Sequence, residues 1–506
     1  MTRRIAMPVG LASSVLFGGG AIIAAAVSGW AWAVFLSLAM ILSGLVVTCG
    51  TSLARLPLFF ALLAVSEFAK RAVFVLPGQG AWSPYLVFLT PYLYFLTAIL
   101  LPWFLSGRAI PRDALSFLIW ALVGLSVSVT WLSPGAPLMA RGAATFLLIM
   151  PWLIALVARD TPGAINSSFR TLAYFGLASA AMGIVQFIFG PTPIDIAWAL
   201  RSGEFSIGAS HLLASIENTP GVQGVWRPTG LQPDAFTYAM FLMTAFAAAW
   251  VAWLRRSMPS IVFIIVGSAL VVGIALSLVR GIWLSFAVFI AFAFAARAIP
   301  ALLRPAIVMS LLIAVLVASQ IVGQYLYESY RWYAGMATDP VIARALTTGT
   351  VEARLGLWSA LGEAIGRYGV LGIGYGSHIW IAHKFLPADA RPDILNVHNV
   401  MTELLVLVGI PGVLLVLAIL YVVFRGPSGE RFEADSREKG VHAVIAGYLV
   451  AMIVSGFTNG GVFLSFHFFF FAGALHSFRL VRQGSPARQE SSERQVANFV
   501  SASRLP

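Results

Sequence analysis

Four short stretches of this 506-residue chain combine a titratable or charged side chain with tight turn residues. A neutral imidazole can accept a proton near neutral pH, and a guanidinium binds phosphate oxygens through a planar fork. These residue types suit general base catalysis beside a phosphate-bearing substrate. The stretches are "WRPTGLQPDAF" with Arg227, "SLVRGIWLSF" with Arg280, "EARLGLW" with Arg354 and "NVHN" with His398.

Three of these residues also have a simpler interpretation. Arg280 lies between two apolar runs without an acidic neighbour in sequence, and an arginine at membrane depth costs several kcal/mol unless it is used or snorkels to the interface. Arg227 could be the positive flank of a helix entry. His398 could be structural, because Asn396 or Asn399 can cap the helix that follows.

A metal site is a weaker alternative. Imidazoles and carboxylates together suit zinc or manganese, and five such residues lie near the last of the four stretches. Their spacing matches no compact ligand motif, so we expect neither a metal nor another cofactor. These residues are His378, His383, His398, Asp389 and Asp393.

The composition is that of a polytopic membrane protein. Hydrophobic residues make up 59% of the chain and charged residues 10%, with a mean hydropathy of +0.88, whereas a soluble domain carries about 25% charged residues. Because a spanning helix needs about 20 mostly apolar residues, the sequence predicts an all-α fold with about fourteen transmembrane helices. They lie near 8–27, 30–49, 56–76, 85–105, 113–132, 142–158, 169–190, 234–254, 259–278, 282–296, 302–323, 398–424, 441–458 and 461–479.

The positive charges predict the orientation. Lysine and arginine cluster on alternate sides of the predicted spans, so the positive-inside rule puts both termini in the cytoplasm. This assignment places the whole net charge of +12 inside. Membrane orientation therefore accounts for the basic excess, and we expect no nucleic-acid partner.

Cys49, inside a predicted span, cannot form an intramolecular disulfide because it is the single cysteine. The start "MTRR" with its apolar stretch is interpreted as an uncleaved anchor.

Two outer segments are too long to be simple connections. In the longer one, "EARLGLWSALGEAIGRYGVLG" spaces its apolar residues on one face, which predicts an amphipathic helix over 352–366 at the bilayer surface. The following "GIGYGSH" lacks the ending of a phosphate-binding P-loop. The predicted organisation is N-terminal helices over 1–190, a periplasmic loop 191–233, helices over 234–323 with Arg280 at an outer end, a large periplasmic loop 324–397, C-terminal helices over 398–481 and a cytoplasmic tail 482–506.

The order of motifs over about residues 220–425 resembles the O-antigen ligase and O-antigen polymerase superfamily of lipid-linked polysaccharide glycosyltransferases. One departure is Val408, where the family commonly has Glu or Gln before the closing Gly-x-x-Gly; Glu403 stands earlier. The matching elements are R-x-x-G at Arg227 to Gly230, S-x-x-R-G at Ser277 to Gly281, R-x-x-x-W at Arg354 to Trp358, G-x-G-x-G at Gly372 to Gly376, H-N at His398 and Asn399, and G-x-x-G at Gly409 to Gly412.

The resemblance implies a C-type glycosyltransferase-like membrane architecture in the bacterial inner membrane, with a periplasmic active site capped by the large loop. It implies that His398 and the outer arginines are essential, with Arg227, Arg280 and Arg354 on the diphosphate of the donor. Asn399 and Glu403 are expected to support His398.

The expected reaction transfers a glycan from undecaprenyl diphosphate to a sugar hydroxyl. The partners are a lipid-linked oligosaccharide donor, a glycan acceptor and membrane lipids, with a chain-length regulator or a flippase as further candidates. The acceptor is a lipid-linked repeat unit in a polymerase and a lipid A-core in a ligase, and the large number of spans favours the polymerase. The alternatives from other classes are a polysaccharide or lipid transporter and a non-catalytic scaffold for envelope assembly.

Overall fold

A computed structural model of the chain describes residues 54–75, 83–107, 111, 113–132, 138–201, 227–295, 370–374, 400–425, 436–459 and 465–483. All regular elements within these ranges are helical. In chain order they are α1 (Arg55–Val75), α2 (Ser83–Tyr94), a π-helical turn (Phe95–Leu100), α3 (Leu101–Leu105), α4 (Ala114–Leu132), α5 (Leu138–Asp160), α6 (Pro162–Phe189), α7 (Pro193–Arg201), α8 (Ala235–Leu254), α9 (Ser260–Leu276), α10 (Arg280–Ala295), α11 (Val400–Arg425), α12 (Ser436–Asn459) and α13 (Phe466–Gln483).

The helices agree with the predicted apolar segments wherever the structure describes them. Each predicted span from 56–76 to 282–296, and each from 398–424 to 461–479, coincides with helical residues. Five of the described helices are long and apolar enough to cross a membrane, and four shorter apolar helices accompany them. The protein is therefore a helical membrane protein. The total of about fourteen spans remains a prediction, because 8–27, 30–49 and 302–323 lie outside the described residues.

Helices α8 and α12 form the centre of the bundle. Within the apolar window of α12, 94% of the residues are buried, and in α8 the share is 78%, against 39% in both α4 and α6. Around this centre, α10 packs on α12, α13 on α5, α6 on α8 and α11 on α4. The peripheral helices expose large apolar side chains such as Ile264 and Ile265 of α9, as expected for faces that contact lipid.

Aromatic rings join α1, the π-helical turn and α13. The ring centroid of Phe59 lies 4.8 Å from that of Phe95 and 5.0 Å from that of Phe466. Next to them, the rings of Phe60 and Phe470 meet edge to face at 4.7 Å. Such pairs contribute about 0.5–1.5 kcal/mol each beyond the area they bury, so they fix the start of α13 against α1.

A polar network ties together helix ends at one end of the bundle. Asp113 caps α4 by accepting from the Ser116 amide at 2.8 Å, and its two oxygens accept from Arg159 Nη1 at 3.0 Å. His476 Nε2 of α13 lies 3.3 Å from Asp113 Oδ2. Burial would raise the pKa of Asp113, but the hydrogen bonds with His476 and Ser116 and the charge of Arg159 hold that pKa well below its ordinary value.

Candidate active site

The R-x-x-G motif forms an irregular segment that leads into α8 at the opposite end of the bundle. Arg227 is half-buried, and Thr229 and Gly230 are buried. Gly230 has a φ of 54°, and a methyl group there would lie 2.6 Å from both Ser179 Oγ and the ring of Tyr238. Glycine is therefore required at this position by conformation and by space.

A buried glutamine holds the backbone of this segment. Gln186, in the last turn of α6, accepts hydrogen bonds through Oε1 from the amides of Thr229 at 3.0 Å and Gly230 at 2.7 Å. Its Nε2 donates to Asp195 Oδ2 at 2.8 Å. Both hydrogen-bonding ends of the Gln186 side chain are thus used. Its oxygen accepts from two backbone amides that no helix or strand satisfies.

The carboxylate beside Gln186 belongs to a buried ion pair. Arg71 of α1 donates Nη1 to Asp195 Oδ1, and the two side chains are 1% and 0% exposed. Arg71 also donates to Thr229 Oγ1 and to the Gly230 carbonyl, each at 3.3 Å. Because a buried ion pair is costly unless further hydrogen bonds complete it, these contacts explain how the pair is retained. We call Arg71, Gln186 and Asp195 the loop-anchoring cluster.

The S-x-x-R-G motif forms the tight turn between α9 and α10. The Ser277 amide donates to the Gly273 carbonyl at 3.1 Å, and Ser277 Oγ donates to the Ile274 carbonyl at 2.6 Å. Leu278 adopts the left-handed region with a φ of 55°, which is uncommon for a branched side chain. Arg280 is the first residue of α10 and is half-buried. The turn therefore fixes the position of Arg280 at the start of α10.

Tyr238 of α8 connects the two arginine-bearing segments. Its ring packs on Gly230, and its hydroxyl would lie 2.8 Å from a methyl group at Gly273 and 2.1 Å from one at Gly183. Gly273 is the residue whose carbonyl accepts from Ser277. One fully buried tyrosine thus packs against both segments, so the elements that carry Arg227 and Arg280 lie at the same end of the bundle.

The first two glycines of the G-x-G-x-G motif, Gly372 and Gly374, dock on a break in α11. Gly409, inside α11, has φ 65° and ψ −168°, a conformation available almost only to glycine. Around this break, the Gly374 amide donates to the Leu407 carbonyl at 3.0 Å and the Ile410 amide donates to the Val370 carbonyl at 3.3 Å. The described residues 370–374 are therefore held against α11 by backbone hydrogen bonds.

Close packing explains the glycines on both sides of this contact. A methyl group at Gly372 would lie 2.6 Å from the Gly409 nitrogen, and one at Gly374 would lie 2.5 Å from Thr130 Cα of α4. Both glycines have a positive φ, of 77° and 75°. The G-x-G pattern therefore allows backbone to approach backbone, which differs from the phosphate-binding use of glycine-rich loops.

The start of α11 is the closest described point to the predicted general base. Val400 begins α11 and is fully buried, and Glu403 is half-buried in the first turn. A carboxylate there is favoured by the partial positive charge of the helix N-terminus. His398 and Asn399 lie directly before α11 but outside the described residues, as does Arg354. The structure thus places the segments that carry Arg227 and Arg280 at the same end of the bundle, while the geometry around His398 stays a prediction.

Other predicted features of the outer loop also lie outside the described residues. They are the amphipathic helix over 352–366 and the metal-site alternative formed by His378, His383, Asp389 and Asp393. In the part of the chain that the structure describes, no group of three or more His, Cys, Asp or Glu residues could hold a metal ion. Segment 191–233, predicted as a periplasmic loop, contains the short helix α7.

The loop-anchoring cluster was missed by the sequence analysis. Gln186 and Asp195 carry no motif, and Asp195 lies 124 residues from Arg71 along the chain. One signal was available: Arg71 lies within the predicted span 56–76, and an arginine there needs a partner for the same reason as Arg280. The acidic residues of segment 191–233 are the candidates for that partner.

Comparison with known families agrees with these motifs. Residues 262–417 match the family model described as O-antigen ligase. The matched range includes the turn with Arg280, the segment 370–374 and the break in α11, whereas Arg227 and the loop-anchoring cluster precede it. No curated protein and no solved structure matches the chain. The similarity over residues 262–417 supports the resemblance to the O-antigen ligase and polymerase superfamily that the motifs indicate.

Proposed function

We propose that this protein transfers a glycan from undecaprenyl diphosphate to a sugar hydroxyl on the periplasmic face of the bacterial inner membrane. The observation that carries the proposal is the match of residues 262–417 to the O-antigen ligase family. It covers three of the four stretches whose residues suit this chemistry. The contact of Tyr238 with both Gly230 and Gly273 supports the proposal further, because it joins the fourth stretch, with Arg227, to the same end of the bundle.

The donor is a lipid-linked sugar because nucleotide sugars are cytoplasmic. When the bond between the sugar and the diphosphate breaks, negative charge develops on the leaving phosphate. Guanidinium groups stabilise this charge well because they stay protonated and donate two parallel hydrogen bonds. Arg227 and Arg280 take this role, with Arg354 as a third contact from the large loop.

The acceptor hydroxyl must lose its proton as it attacks the anomeric carbon. His398 takes this proton as the general base, and Asn399 and Glu403 support it at the start of α11. General base catalysis contributes about 10²–10⁴-fold in rate, and each donor to the developing negative charge about 10²–10³-fold. These groups suffice for a metal-independent reaction with an activated donor.

Two acceptors are compatible with this chemistry. Polymerisation of O-antigen or exopolysaccharide repeat units, with a lipid-linked repeat unit as acceptor, is the function we prefer because of the large number of predicted spans. Ligation to a lipid A-core is the second candidate, and the description of the matching family favours it. The two differ in the acceptor alone, so the same groups serve both reactions.

The decisive assay supplies the purified protein with a glycan on undecaprenyl diphosphate and with each acceptor in turn, and detects the product by gel and mass spectrometry. We expect transfer to one acceptor and its loss in His398→Ala, with unchanged membrane insertion and thermal stability, because the base acts in the transition state. Absence of transfer to both acceptors by the stable wild-type protein would refute the function and leave a transporter or scaffold.

A histidine from the same outer loop provides the matched control. His383 belongs to the metal-site alternative but to no motif of the resemblance, so His383→Ala should retain transfer. Activity should also survive EDTA. Loss of activity in both histidine variants, together with rescue of a chelated sample by Mn²⁺ or Zn²⁺, would replace the base mechanism with the metal mechanism.

A further inference from the structure

The loop-anchoring cluster connects to Arg227 through a short, stiff path. Thr229, whose amide Gln186 binds, is two residues after Arg227, and the residue between them is Pro228. Because the proline ring fixes one of the few backbone torsions along this path, displacement of the Thr229 amide must move Arg227. We propose that Gln186, oriented by the Arg71–Asp195 pair, is a positioning residue that acts through Arg227.

The side-chain amide of Gln186 has one orientation that satisfies its neighbours. A carboxylate only accepts hydrogen bonds, so the NH₂ group must face Asp195, and the oxygen then faces the amides of Thr229 and Gly230. Asp195 is fixed in turn by the amide of Thr192 at 3.1 Å and by its hydroxyl at 2.7 Å. The path of fixed contacts therefore runs from Asp195 through Gln186 to the backbone beside Arg227.

The composition of the cluster supports a role in positioning over one in stability. Apolar residues of similar volume often stabilise a buried site as well as or better than an ion pair does. Here a fully buried Arg71, Asp195 and Gln186 converge on one irregular segment, whose neighbouring arginine the proposed function assigns to the diphosphate. A rigid binding group is what transfer chemistry requires, because a misplacement of about 1 Å can lower the rate about 10²-fold.

The test compares two buried glutamines of similar setting. Gln186→Met keeps the length of the side chain but removes the acceptor for the two amides. Gln232→Met is the control, since Gln232 is buried next to the same segment but its Nε2 contacts the Ala64 carbonyl at 3.4 Å. We expect kcat for transfer to fall about 10²-fold in Gln186→Met and to stay within about 3-fold of wild type in Gln232→Met.

A double-mutant cycle separates positioning from a purely structural effect. If Gln186 acts through Arg227, Gln186→Met should lower kcat by less than about 3-fold when Arg227 is already alanine. Additive losses would overturn the proposal. Should Gln186→Met fail to fold, Thr192→Val removes the hydroxyl that orients Asp195 while keeping the backbone contact. Its smaller loss, about 3–10-fold for one neutral hydrogen bond, should show the same non-additivity with Arg227→Ala.

Hydrogen exchange gives a readout that does not need activity. The amides of Thr229 and Gly230 should exchange faster in Gln186→Met than in wild type or in Gln232→Met, as followed by mass spectrometry of peptides covering 227–234. The inference rests partly on the proposed function, and this measurement distinguishes the two. If the wild type shows no transfer, the function fails, whereas unchanged exchange in a folded Gln186→Met protein overturns the anchoring itself.

Discussion

Replacing Gly409 by alanine directly tests the docking of residues 370–374 on α11. A methyl group at this position would lie 2.5 Å from the carbonyl carbon of Leu371 and 2.6 Å from the oxygen of Val370. Both are backbone atoms, so no side-chain rotation can relieve the contact. Either segment 370–374 must leave α11, or α11 must change its course at the break.

The expected loss of stability can be worked from these contacts. A non-glycine residue in the backbone conformation of Gly409 costs about 1–3 kcal/mol. Separation of the two segments also breaks the hydrogen bonds Gly374 to Leu407 and Ile410 to Val370, at about 0.5–1.5 kcal/mol each. The free energy of unfolding should therefore fall by about 2–6 kcal/mol. Transfer activity should fall about 10²-fold, because the proposed base His398 directly precedes α11 in sequence.

A second glycine in an apolar helix serves as the control. Gly124 of α4 is exposed, and a methyl group there would meet no atom within 4 Å. Gly124→Ala should therefore be neutral or stabilise the protein by up to about 1 kcal/mol. Thermal unfolding of the detergent-solubilised variants, followed by tryptophan fluorescence at one heating rate, ranks them against wild type.

Substitution of Gly372, which packs against Gly409, tests the same contact from the other side. Gly372→Ala should reproduce the loss seen in Gly409→Ala, and the double variant should be little worse than either, because both substitutions break one contact. A melting temperature of Gly409→Ala equal to that of Gly124→Ala would refute the docking. Fully additive losses would show that the two glycines act at separate places.

Three further predictions concern chemistry, pH and orientation. Arg280→Lys should lose nearly as much transfer activity as Arg280→Ala in the same assay, because an ammonium lacks the planar fork; wild-type rates with lysine would make Arg280 a membrane anchor. Since the pKa of Asp113 is lowered in the folded protein, the ionised carboxylate should stabilise the fold above the ordinary pKa of about 3.9, and this stabilisation should be lost as the pH falls below that value. In acid titrations of thermal stability, Asp113→Asn should therefore show a weaker pH dependence than wild type, and an unchanged pH dependence would contradict the role of Asp113. In a Cys49→Ala background, a cysteine at Ala388 should react with an impermeant thiol reagent from outside spheroplasts, whereas one at Ala434 should not; the reverse result would place His398 in the cytoplasm.

Apolar periodicity and length were sufficient to predict the long helices, but not the short α7. The predicted span 113–132 coincides with α4 at 114–132, and 234–254 with α8 at 235–254, because a helix in a membrane satisfies its own backbone and needs only a run of apolar residues. The S-x-x-R-G motif was also found from sequence, since Ser277 and Arg280 act within one local turn. Local features of this kind require no knowledge of distant partners.

Contacts between distant segments could not be predicted in this way. Gly372 and Gly409 both belong to predicted motifs, but nothing in either motif indicates that the two backbones meet. Gln186 was unremarkable in sequence because its role depends on the amides of a segment about forty residues later. Hydrogen bonds across such distances depend on how α6, α7 and α8 pack together. Local sequence patterns do not indicate this packing.

The separation of Arg71 from Asp195 has a consequence for biosynthesis. The two residues are 124 positions apart, and at about 5–20 residues per second the ribosome makes Arg71 about 6–25 s before its counter-charge. During that interval the Arg71 guanidinium, four residues before the end of α1, lacks its buried partner Asp195, which favours a position where that end stays in contact with water. Helix α1 can therefore reach its final depth only after α7 has been synthesised. Nascent chains halted before residue 195 should accordingly hold their first described helix in a shallower position than the complete protein does.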